Sequence, residues 1–215
     1  MKTTVIIPAA GTGSRMGGLK QFMLLGGKAV LAHTIEAFEK HEEVDEIILA
    51  APEQAAEWTY KKVKAILAGG PTRQASVYAA LSRAEADCIL IHDGARPLIR
   101  QQAISEVIKH VRQGHCAVSG VLAKDTIKIA AGDNNIVQHT PPRSQTWLVQ
   151  TPQGFPAHII KEAHRRAAAE SFLGTDDAML VERMGIAVHM VQGDYCNIKI
   201  TTPEDLRIAE ELLHI

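Results

Sequence analysis

Glycines and cations follow the first apolar run of the chain in a pattern that suits the binding of a nucleoside triphosphate. Residues 8–20 read PAAGTGSRMGGLK. Gly11 and Gly13 let the backbone approach a ligand closely, so that successive N–H groups can converge on phosphate oxygens. Arg15 and Lys20 would neutralise the remaining negative charge. Neither of two better-known phosphate loops fits, because GxxxxGK[ST] is absent and the glycine spacing fails GxGxxG.

A second group of polar residues, HDGARP, follows a buried-looking run near the middle of the chain. A carboxylate at the carboxyl end of a parallel strand lies in the crevice where open α/β sheets bind ligands. A lone carboxylate there suits Mg²⁺ already carried by phosphates. Asp93 is therefore a metal candidate and Arg96 a contact for an anion, although an Asp-Gly pair is also common in plain turns.

Three further segments carry side chains that could contact a ligand. The segment 69–77, GGPTRQASV, offers glycines, an arginine and a helix N-terminus from which Ser76 could reach a ligand. Residues 175–182 read TDDAMLVE, and residues 197–206 read NIKITTPEDL, with Lys199 on a predicted strand. Taken singly, each has an ordinary structural explanation, since paired acids often cap helices.

Short β-branched runs alternate with longer segments of helical period, which is typical of βαβ units. The predicted strands are 4–8, 46–51, 88–92, 117–121 and 188–191. The predicted helices are 30–40, 52–67, 74–83, 100–113 and 156–170, with a last helix that Thr202 caps and Pro203 begins. We therefore predict an α/β fold, with a doubly wound, mostly parallel (Rossmann-like) sheet, in one domain over residues 1–215.

Residues 125–150 interrupt this alternation. The text DTIKIAAGDNNIVQHTPPRSQTWLVQ reads as a two-stranded arm with a turn at GDNN. Because an isolated hairpin is marginal in water, we expect this inserted β-hairpin to be a dimerisation arm. A surface excursion on a monomer is the alternative.

Composition limits the partners and the compartment. The chain has 215 residues and a net charge of −1, so it offers no basic field for nucleic acid or an anionic membrane. Three well-separated cysteines argue for a reducing compartment, and we predict a cytoplasmic protein. Ten histidines lack metal-ligand spacing and are interpreted as scattered surface residues.

The segments above, in this order, make the chain similar to a known family. It resembles the 2-C-methyl-D-erythritol 4-phosphate cytidylyltransferases of the non-mevalonate isoprenoid pathway over essentially its whole length. The resemblance rests on PAAGTGSRM with LKQF, GGPTRQASV, HDGARP, DTIK, the segment 143–147 with QTPQGF, TDDA and NIKITTPEDL. Position 94 is glycine where the family often has alanine.

The resemblance implies a role for individual residues. Contacts to CTP would come from Ala9, Ala10, Gly11, Thr12, Gly13, Gly70, Arg73, Ser76, Asp93 and Gly94. Charge on the triphosphate would be stabilised by Arg15, Lys20 and Lys199, and Asp93 would ligate Mg²⁺ or another divalent cation. The sugar-alcohol phosphate would be bound by Arg96, Thr126, Arg143, Thr151 and Thr175.

The reaction that the resemblance implies is in-line attack of a phosphate monoester oxygen on the α-phosphorus of CTP, with release of pyrophosphate. The acceptor would be 2-C-methyl-D-erythritol 4-phosphate, and the arm would exchange between the subunits of a homodimer. Ribitol 5-phosphate is an alternative acceptor. From other classes, an NAD-dependent oxidoreductase is suggested by the YxxxK match at Tyr60 and Lys64, and a noncatalytic nucleotide-binding module also remains open.

Overall fold

The computed structural model describes residues 1–11, 19–132 and 134–213, with the side chains of residues 20, 56 and 57 outside that description. These residues form eleven strands, numbered β1 to β11 along the chain: Thr3–Pro8, Leu24–Leu25, Lys28–Ala29, Glu46–Ala50, Val63–Leu67, Cys88–Ile91, Cys116–Leu122, Ile129–Ala131, Ile136–His139, Trp147–Pro156 and Val188–Gln192. Six helices, α1 to α6, are Val30–Glu39, Arg73–Leu81, Gln101–Arg112, Ala157–Ala169, Asp177–Glu182 and Pro203–Leu212.

Seven strands form the central sheet, in the order β11-β7-β10-β6-β1-β4-β5. Within this sheet β10 runs antiparallel to both of its neighbours, and the other pairs are parallel. Helices cover both faces. Side chains of β1 alternate accordingly, because Val5 and Ile7 pack with α1 and α3, whereas Ile6 packs with α2 and α4. The predicted doubly wound, mostly parallel fold is confirmed.

The strand β10 corrects the predicted boundaries of the arm. Residues 147–150 belong to the central sheet, where Leu148 pairs with Val121. The two-stranded hairpin itself consists of β8 and β9, which pair antiparallel between Ile129 and His139. The pairing of β10 with β7 shifts between Val149 and Gln153, which accommodates a proline inside a central strand.

The prediction of a helix over residues 52–67 is wrong. A short 3₁₀ turn spans Glu53–Glu57, and the strand β5 follows and extends the sheet beside β4. Tyr60 therefore lies in a loop and Lys64 in a strand, so the YxxxK match does not lie on one helix. No helix among the described residues is long and apolar enough to cross a membrane.

Two smaller expectations are also corrected. Lys199 lies outside regular strands, in a segment that the Ile200 N–H anchors to the Ala95 carbonyl at 2.9 Å. Not all histidines are on the surface, because His41, His92 and His164 are buried. The last helix begins as predicted at Pro203, since Thr202 before it and Asp205 in its first turn form a capping box.

Candidate active site

A cavity of about 420 Å³ opens at the carboxyl ends of β1 and β6, which are neighbouring parallel strands. This is the edge at which open α/β sheets bind ligands. Loops after both strands, the N-terminus of α2 and the 197–200 segment meet there. The described residues that line it are Pro8, Ala9, Ala10, Gly11, Gln21, Gly70, Pro71, Thr72, Arg73, Ser76, Asp93, Gly94, Ala95 and Lys199.

Two glycines let the loops of this cavity approach one another closely. A Cβ added at Gly69 would overlap the Cβ of Ala10, and one at Gly94 would come within 2.8 Å of the Cβ of Ala9. Both contacts bring neighbouring loops against the segment that follows β1. The backbone of residues 9–11 is thereby held in the cavity wall. Glycine at position 94 suits this packing, which leaves no room for a methyl group without a shift of the loops.

Cations surround the carboxylate of Asp93. The Arg73 Nε donates to Asp93 Oδ1 at 2.9 Å, and the Lys199 Nζ lies 2.8 Å from Asp93 Oδ2. The Nε of Arg96 is 3.7 Å from the same oxygen. Burial alone would raise the pKa of Asp93, but Arg73 and Lys199 hold that pKa well below its usual range. The cavity therefore presents a fixed negative charge among positive ones.

Arg73 connects Asp93 to a second buried carboxylate, Asp177. Its Nη1 lies 2.6 Å from Asp177 Oδ2, and His164 Nε2 lies 3.0 Å from Asp177 Oδ1. Burial opposes ionisation of Asp177, yet the Arg73 guanidinium and His164 keep its pKa below the usual value. Between its two carboxylates the pKa of Arg73 is raised despite burial, so it remains charged.

The backbone of Asp93 is held by a second network. His92 Nε2 must donate to the Arg96 carbonyl, 3.1 Å away, because a carbonyl only accepts. His92 Nδ1 therefore accepts from the Thr151 hydroxyl at 3.0 Å, and the Thr151 oxygen accepts from the Asp93 N–H at 3.0 Å. Burial lowers the pKa of His92 to about 4, which keeps the imidazole neutral at pH 7.

Asn197 anchors the segment that carries Lys199. Its buried Nδ2 donates to the Thr151 carbonyl at 2.9 Å, and its own carbonyl accepts from Arg96 Nη1 at 2.7 Å. The guanidinium of Arg96 thus points at the protein backbone as well as at Asp93. These bonds place Lys199 beside the carboxylate, although its own side chain is 39% exposed.

The donor set fits a divalent cation of the kind that phosphates carry. Mg²⁺ typically binds through one or two protein carboxylates and completes its shell with water and substrate phosphates. Asp93 is the only carboxylate among the described residues that line the cavity, and no cluster of three ligating side chains occurs in those parts of the chain. Both of its oxygens carry further lone pairs, so Asp93 can accept a cation without losing its partners.

The structure brings nine of the predicted site residues together in this cavity: Ala9, Ala10, Gly11, Gly70, Arg73, Ser76, Asp93, Gly94 and Lys199. The Ser76 hydroxyl is used internally, because it donates to the Thr72 carbonyl and accepts from the Gly70 N–H. Thr12, Gly13 and Arg15 lie outside the described residues, as does the side chain of Lys20. Roles predicted for these four remain predictions.

The residues predicted to bind the acceptor are more dispersed. Thr151 is buried behind Asp93, and Thr175 lines a smaller cavity of about 170 Å³ that shares Thr72 and Arg73 with the first. Thr126 and Arg143 are exposed near the base of the hairpin, where Arg143 Nη1 donates to the Lys124 carbonyl at 2.9 Å. Within the described parts of one chain, neither of them lines the main cavity.

Several residues of the site were not predicted from the sequence. His92 and Asn197 stand inside the segments HDGARP and NIKITTPEDL, but their roles depend on contacts with β10. Gln153 caps α5 from that strand, since its Oε1 accepts from the Asp177 and Ala178 N–H groups. No local sequence pattern marks such contacts between distant segments.

The fold and this cavity define a nucleotide-binding α/β protein whose site concentrates positive charge around one carboxylate. The sequence matches the family described as 2-C-methyl-D-erythritol 4-phosphate cytidylyltransferase over residues 3–214. A protein of that name from Halalkalibacterium halodurans is 46% identical, covering 99% of this chain and 97% of its relative. Another, from Geotalea uraniireducens, is 47% identical with the same coverage.

Solved structures of the same family have the fold of this chain. The 2-C-methyl-D-erythritol 4-phosphate cytidylyltransferase of Thermus thermophilus superposes with a TM-score of 0.83 at 36% identity, covering all of both chains. The 4-diphosphocytidyl-2C-methyl-D-erythritol synthase of Anaerococcus prevotii gives a TM-score of 0.88 at 30% identity over 100% of this chain and 96% of its own. The chain belongs to the 2-C-methyl-D-erythritol 4-phosphate cytidylyltransferase family, and it is a nucleotidyltransferase.

Proposed function

We propose that this protein transfers a cytidylyl group from CTP to 2-C-methyl-D-erythritol 4-phosphate in the cavity around Asp93, as a step of isoprenoid precursor biosynthesis. The products are 4-diphosphocytidyl-2-C-methyl-D-erythritol and pyrophosphate. The observation that carries the proposal is the ring of Arg73, Arg96 and Lys199 around one buried carboxylate, at the strand ends where an α/β sheet binds nucleotides. The family assignment supplies the substrates.

The chemistry follows from the charges in the site. An oxygen of the acceptor phosphate attacks the α-phosphorus of CTP, and the bond from that phosphorus to the bridging oxygen of the β-phosphate breaks in line. Negative charge on the α-phosphate and on the departing pyrophosphate must be stabilised, which cations held in fixed positions do effectively. Lys199, Arg15 and Lys20 are proposed to share this role, and the position of Lys199 beside Asp93 supports it.

Mg²⁺ is the proposed cofactor, with Asp93 as its protein ligand. When bound, the cation would neutralise the triphosphate and orient it. The protein's own contribution is to keep Asp93 ionised, through the bonds that its carboxylate accepts from Arg73 and Lys199, and to fix its backbone, through the bond that its N–H donates to the Thr151 hydroxyl. Arg73 and Lys199 hold the carboxylate, and the backbone of residues 9–11 is proposed to face the phosphates.

The decisive experiment measures pyrophosphate release from CTP and Mg²⁺ with two acceptors. We expect turnover with 2-C-methyl-D-erythritol 4-phosphate and little with ribitol 5-phosphate. Lys199→Met should lower kcat on the order of a hundredfold, while Lys64→Met, on the exposed edge strand β5, should not change it. Turnover with ribitol 5-phosphate but not with 2-C-methyl-D-erythritol 4-phosphate would refute the proposal. CTP binding without release of pyrophosphate from CTP in the presence of either acceptor would refute it too.

A homodimer is also proposed, built on the hairpin of β8 and β9. All residues of both strands are exposed, and Ile136 and Val137 are 66% and 51% exposed. Leu148 and Val149, on the nearby start of β10, add further exposed apolar surface. A two-stranded ribbon with this surface is marginally stable in water, so a second copy of the chain is the natural partner.

The dimer predicts that Arg143 acts on the partner's site while Lys20 acts on its own. Dimers of Arg143→Ala and of Lys20→Ala should each be inactive. If subunits are exchanged at random, half of the dimers are mixed and each contains one site without a lesion, so about a quarter of all sites should recover. No recovery, with exchange confirmed by two distinguishable tags, would refute the shared site.

The cytoplasm is the proposed compartment. Cys88, Cys116 and Cys196 are all free thiols. Burial raises the pKa of both Cys88 and Cys116 to about 11, so these thiols are protonated at neutral pH. Fractionation of cells that express the tagged protein tests the assignment.

A further inference from the structure

A chain of hydrogen bonds, fully buried at its His164 end and partly buried at Arg73, links helix α4 to the carboxylate of Asp93. It begins at His164, whose Nε2 lies 3.0 Å from Asp177 Oδ1. The other oxygen of Asp177 accepts from Arg73 Nη1 at 2.6 Å. Arg73 then donates from Nε to Asp93 Oδ1 at 2.9 Å. His164 itself is not among the described residues that line the main cavity.

The protonation of His164 follows from its partner. An ionised carboxylate only accepts, so the Nε2 of His164 must carry the hydrogen that points at Asp177. The imidazole is fully buried, and its Nδ1 has no hydrogen-bond partner among the described residues. A leucine would fill this space without leaving a buried nitrogen unpaired, so apolar packing alone does not explain a histidine here.

A contact with α2, the helix that carries Arg73, also orients the ring of His164. Tyr78 of α2 stacks on the imidazole, with ring centroids 6.0 Å apart and planes 12° apart. Each oxygen of Asp177 has one hydrogen-bond donor: Oδ1 accepts from His164 and Oδ2 accepts from Arg73. Without the histidine donor, one oxygen of a fully buried carboxylate would lack its partner. The carboxylate would then turn to share Arg73 and pull the guanidinium away from Asp93.

We propose that His164 is a positioning residue of the nucleotide site, which acts through Asp177 and Arg73 on the orientation of Asp93. This inference rests on the proposed function, because it treats the cavity around Asp93 as the CTP site. His164 makes no contact with substrate. Its effect should therefore appear in the affinity for CTP and in kcat, and it should depend on the N–H donor rather than on the volume of the ring.

The test compares His164→Leu with His41→Leu. His41 is the matched control, since it is also a buried histidine, 4% exposed, whose Nε2 bonds to the Ser105 hydroxyl and whose Nδ1 accepts from the Glu43 N–H. None of these three is among the described residues that line the cavity. Pyrophosphate release is measured with CTP, Mg²⁺ and the acceptor. We expect His164→Leu to raise the KM for CTP or lower kcat by about tenfold or more, as loss of a supporting hydrogen bond typically does. His41→Leu should leave both constants near the wild-type values.

A conservative variant separates positioning from packing. His164→Gln keeps an amide N–H that can reach Asp177, so it should recover most of the activity lost in His164→Leu. In an Arg73→Lys background, His164→Leu should add little further loss, because the path through the guanidinium fork is already broken. Thermal melts identify any variant that fails to fold, and constants are compared only among folded variants.

The outcomes distinguish failure of the role proposed for His164 from failure of the proposed cytidylyltransferase function. If the wild-type protein releases no pyrophosphate with either acceptor, the proposed function fails. If the wild type is active but His164→Leu behaves like His41→Leu, the inference about His164 is refuted and the function stands. If His164→Gln is folded yet as impaired as His164→Leu, the donor role is refuted as well.

Discussion

Replacing Asp93 by asparagine removes the single negative charge around which the site is organised. The carboxylate lies 2.8 Å from Lys199 Nζ and 2.9 Å from Arg73 Nε, with Arg96 Nε at 3.7 Å. The variant leaves these three cations without their shared counter-ion and turns an acceptor into a group with its own N–H donors. We expect both stability and activity to fall.

The stability loss follows from the exposure of the partners. Breaking a buried ion pair costs about 3–5 kcal/mol. Here the side chains of Lys199 and Arg73 are 39% and 31% exposed, so water screens part of the loss and about 2–3 kcal/mol is expected. For a chain of this size each kcal/mol shifts Tm by about 2–4 °C, so Tm should fall by about 4–12 °C.

Activity should fall much further than stability. Because Asp93 is the proposed cation ligand and also the ion-pair partner of Lys199, kcat/KM for CTP should drop on the order of a hundredfold or more at a temperature where the variant is folded. Asp45→Asn is the control, because Asp45 also accepts a hydrogen bond, from the Thr3 N–H at 2.7 Å, but lies at the opposite end of the strands. Retention of wild-type Mg²⁺-dependent turnover by folded Asp93→Asn would refute this role.

Three further predictions concern the surroundings of Asp93. Gly69→Ala should lower the free energy of unfolding by about 1–3 kcal/mol and weaken CTP binding, because the new methyl group overlaps the Cβ of Ala10; calorimetry and CTP titration check both effects. The pKa values of Asp93 and Asp177 are lowered on folding, so their stabilisation is complete above their ordinary pKa of about 4 and is lost as pH falls below it. The urea midpoints of wild type and Asp177→Asn should thus differ by the same amount between about pH 5 and 7, and this difference should shrink in acid. A difference that grows in acid would contradict the expected direction of the pH dependence. Gln153→Leu should destabilise by about 2 kcal/mol, because it leaves two backbone N–H groups at the start of α5 unpaired, and an unchanged urea midpoint would show that water replaces the glutamine.

Local pattern was sufficient to predict the strands that carry the site. Residues 5–8 and 88–91 are continuous apolar runs followed by polar or small residues, which is how a strand buried on both faces ends at a ligand-binding edge. The capping box at Thr202 was equally readable, since it depends on residues three apart in the sequence. In these cases the sequence and the tertiary structure favour the same local conformation.

Among the elements that were missed, β10 and β5 have structures that long-range pairing decides. The strand β10 contains two prolines and a glycine, which local preferences exclude from a central strand. It is nevertheless held between β6 and β7, with a shift of register that accommodates Pro152. Residues 63–67 have a pattern that also fits a helix. They form a strand because they pair in parallel with β4, whose edge would otherwise lack hydrogen-bond partners.

The contacts that fix Asp93 come from both halves of the chain. Arg73 belongs to the N-terminal half, whereas Thr151 and Lys199 belong to the C-terminal half, and each bonds a different atom of Asp93. The loops that line the cavity are therefore complete as a site only when β10 is paired between β6 and β7. The strand β10 follows the hairpin in the chain and also carries Thr151, which binds the Asp93 N–H. A partner that contacts the hairpin would therefore also restrain the strand that orients Asp93. If the proposed dimer forms through the arm, one continuous strand therefore connects assembly to the site around Asp93.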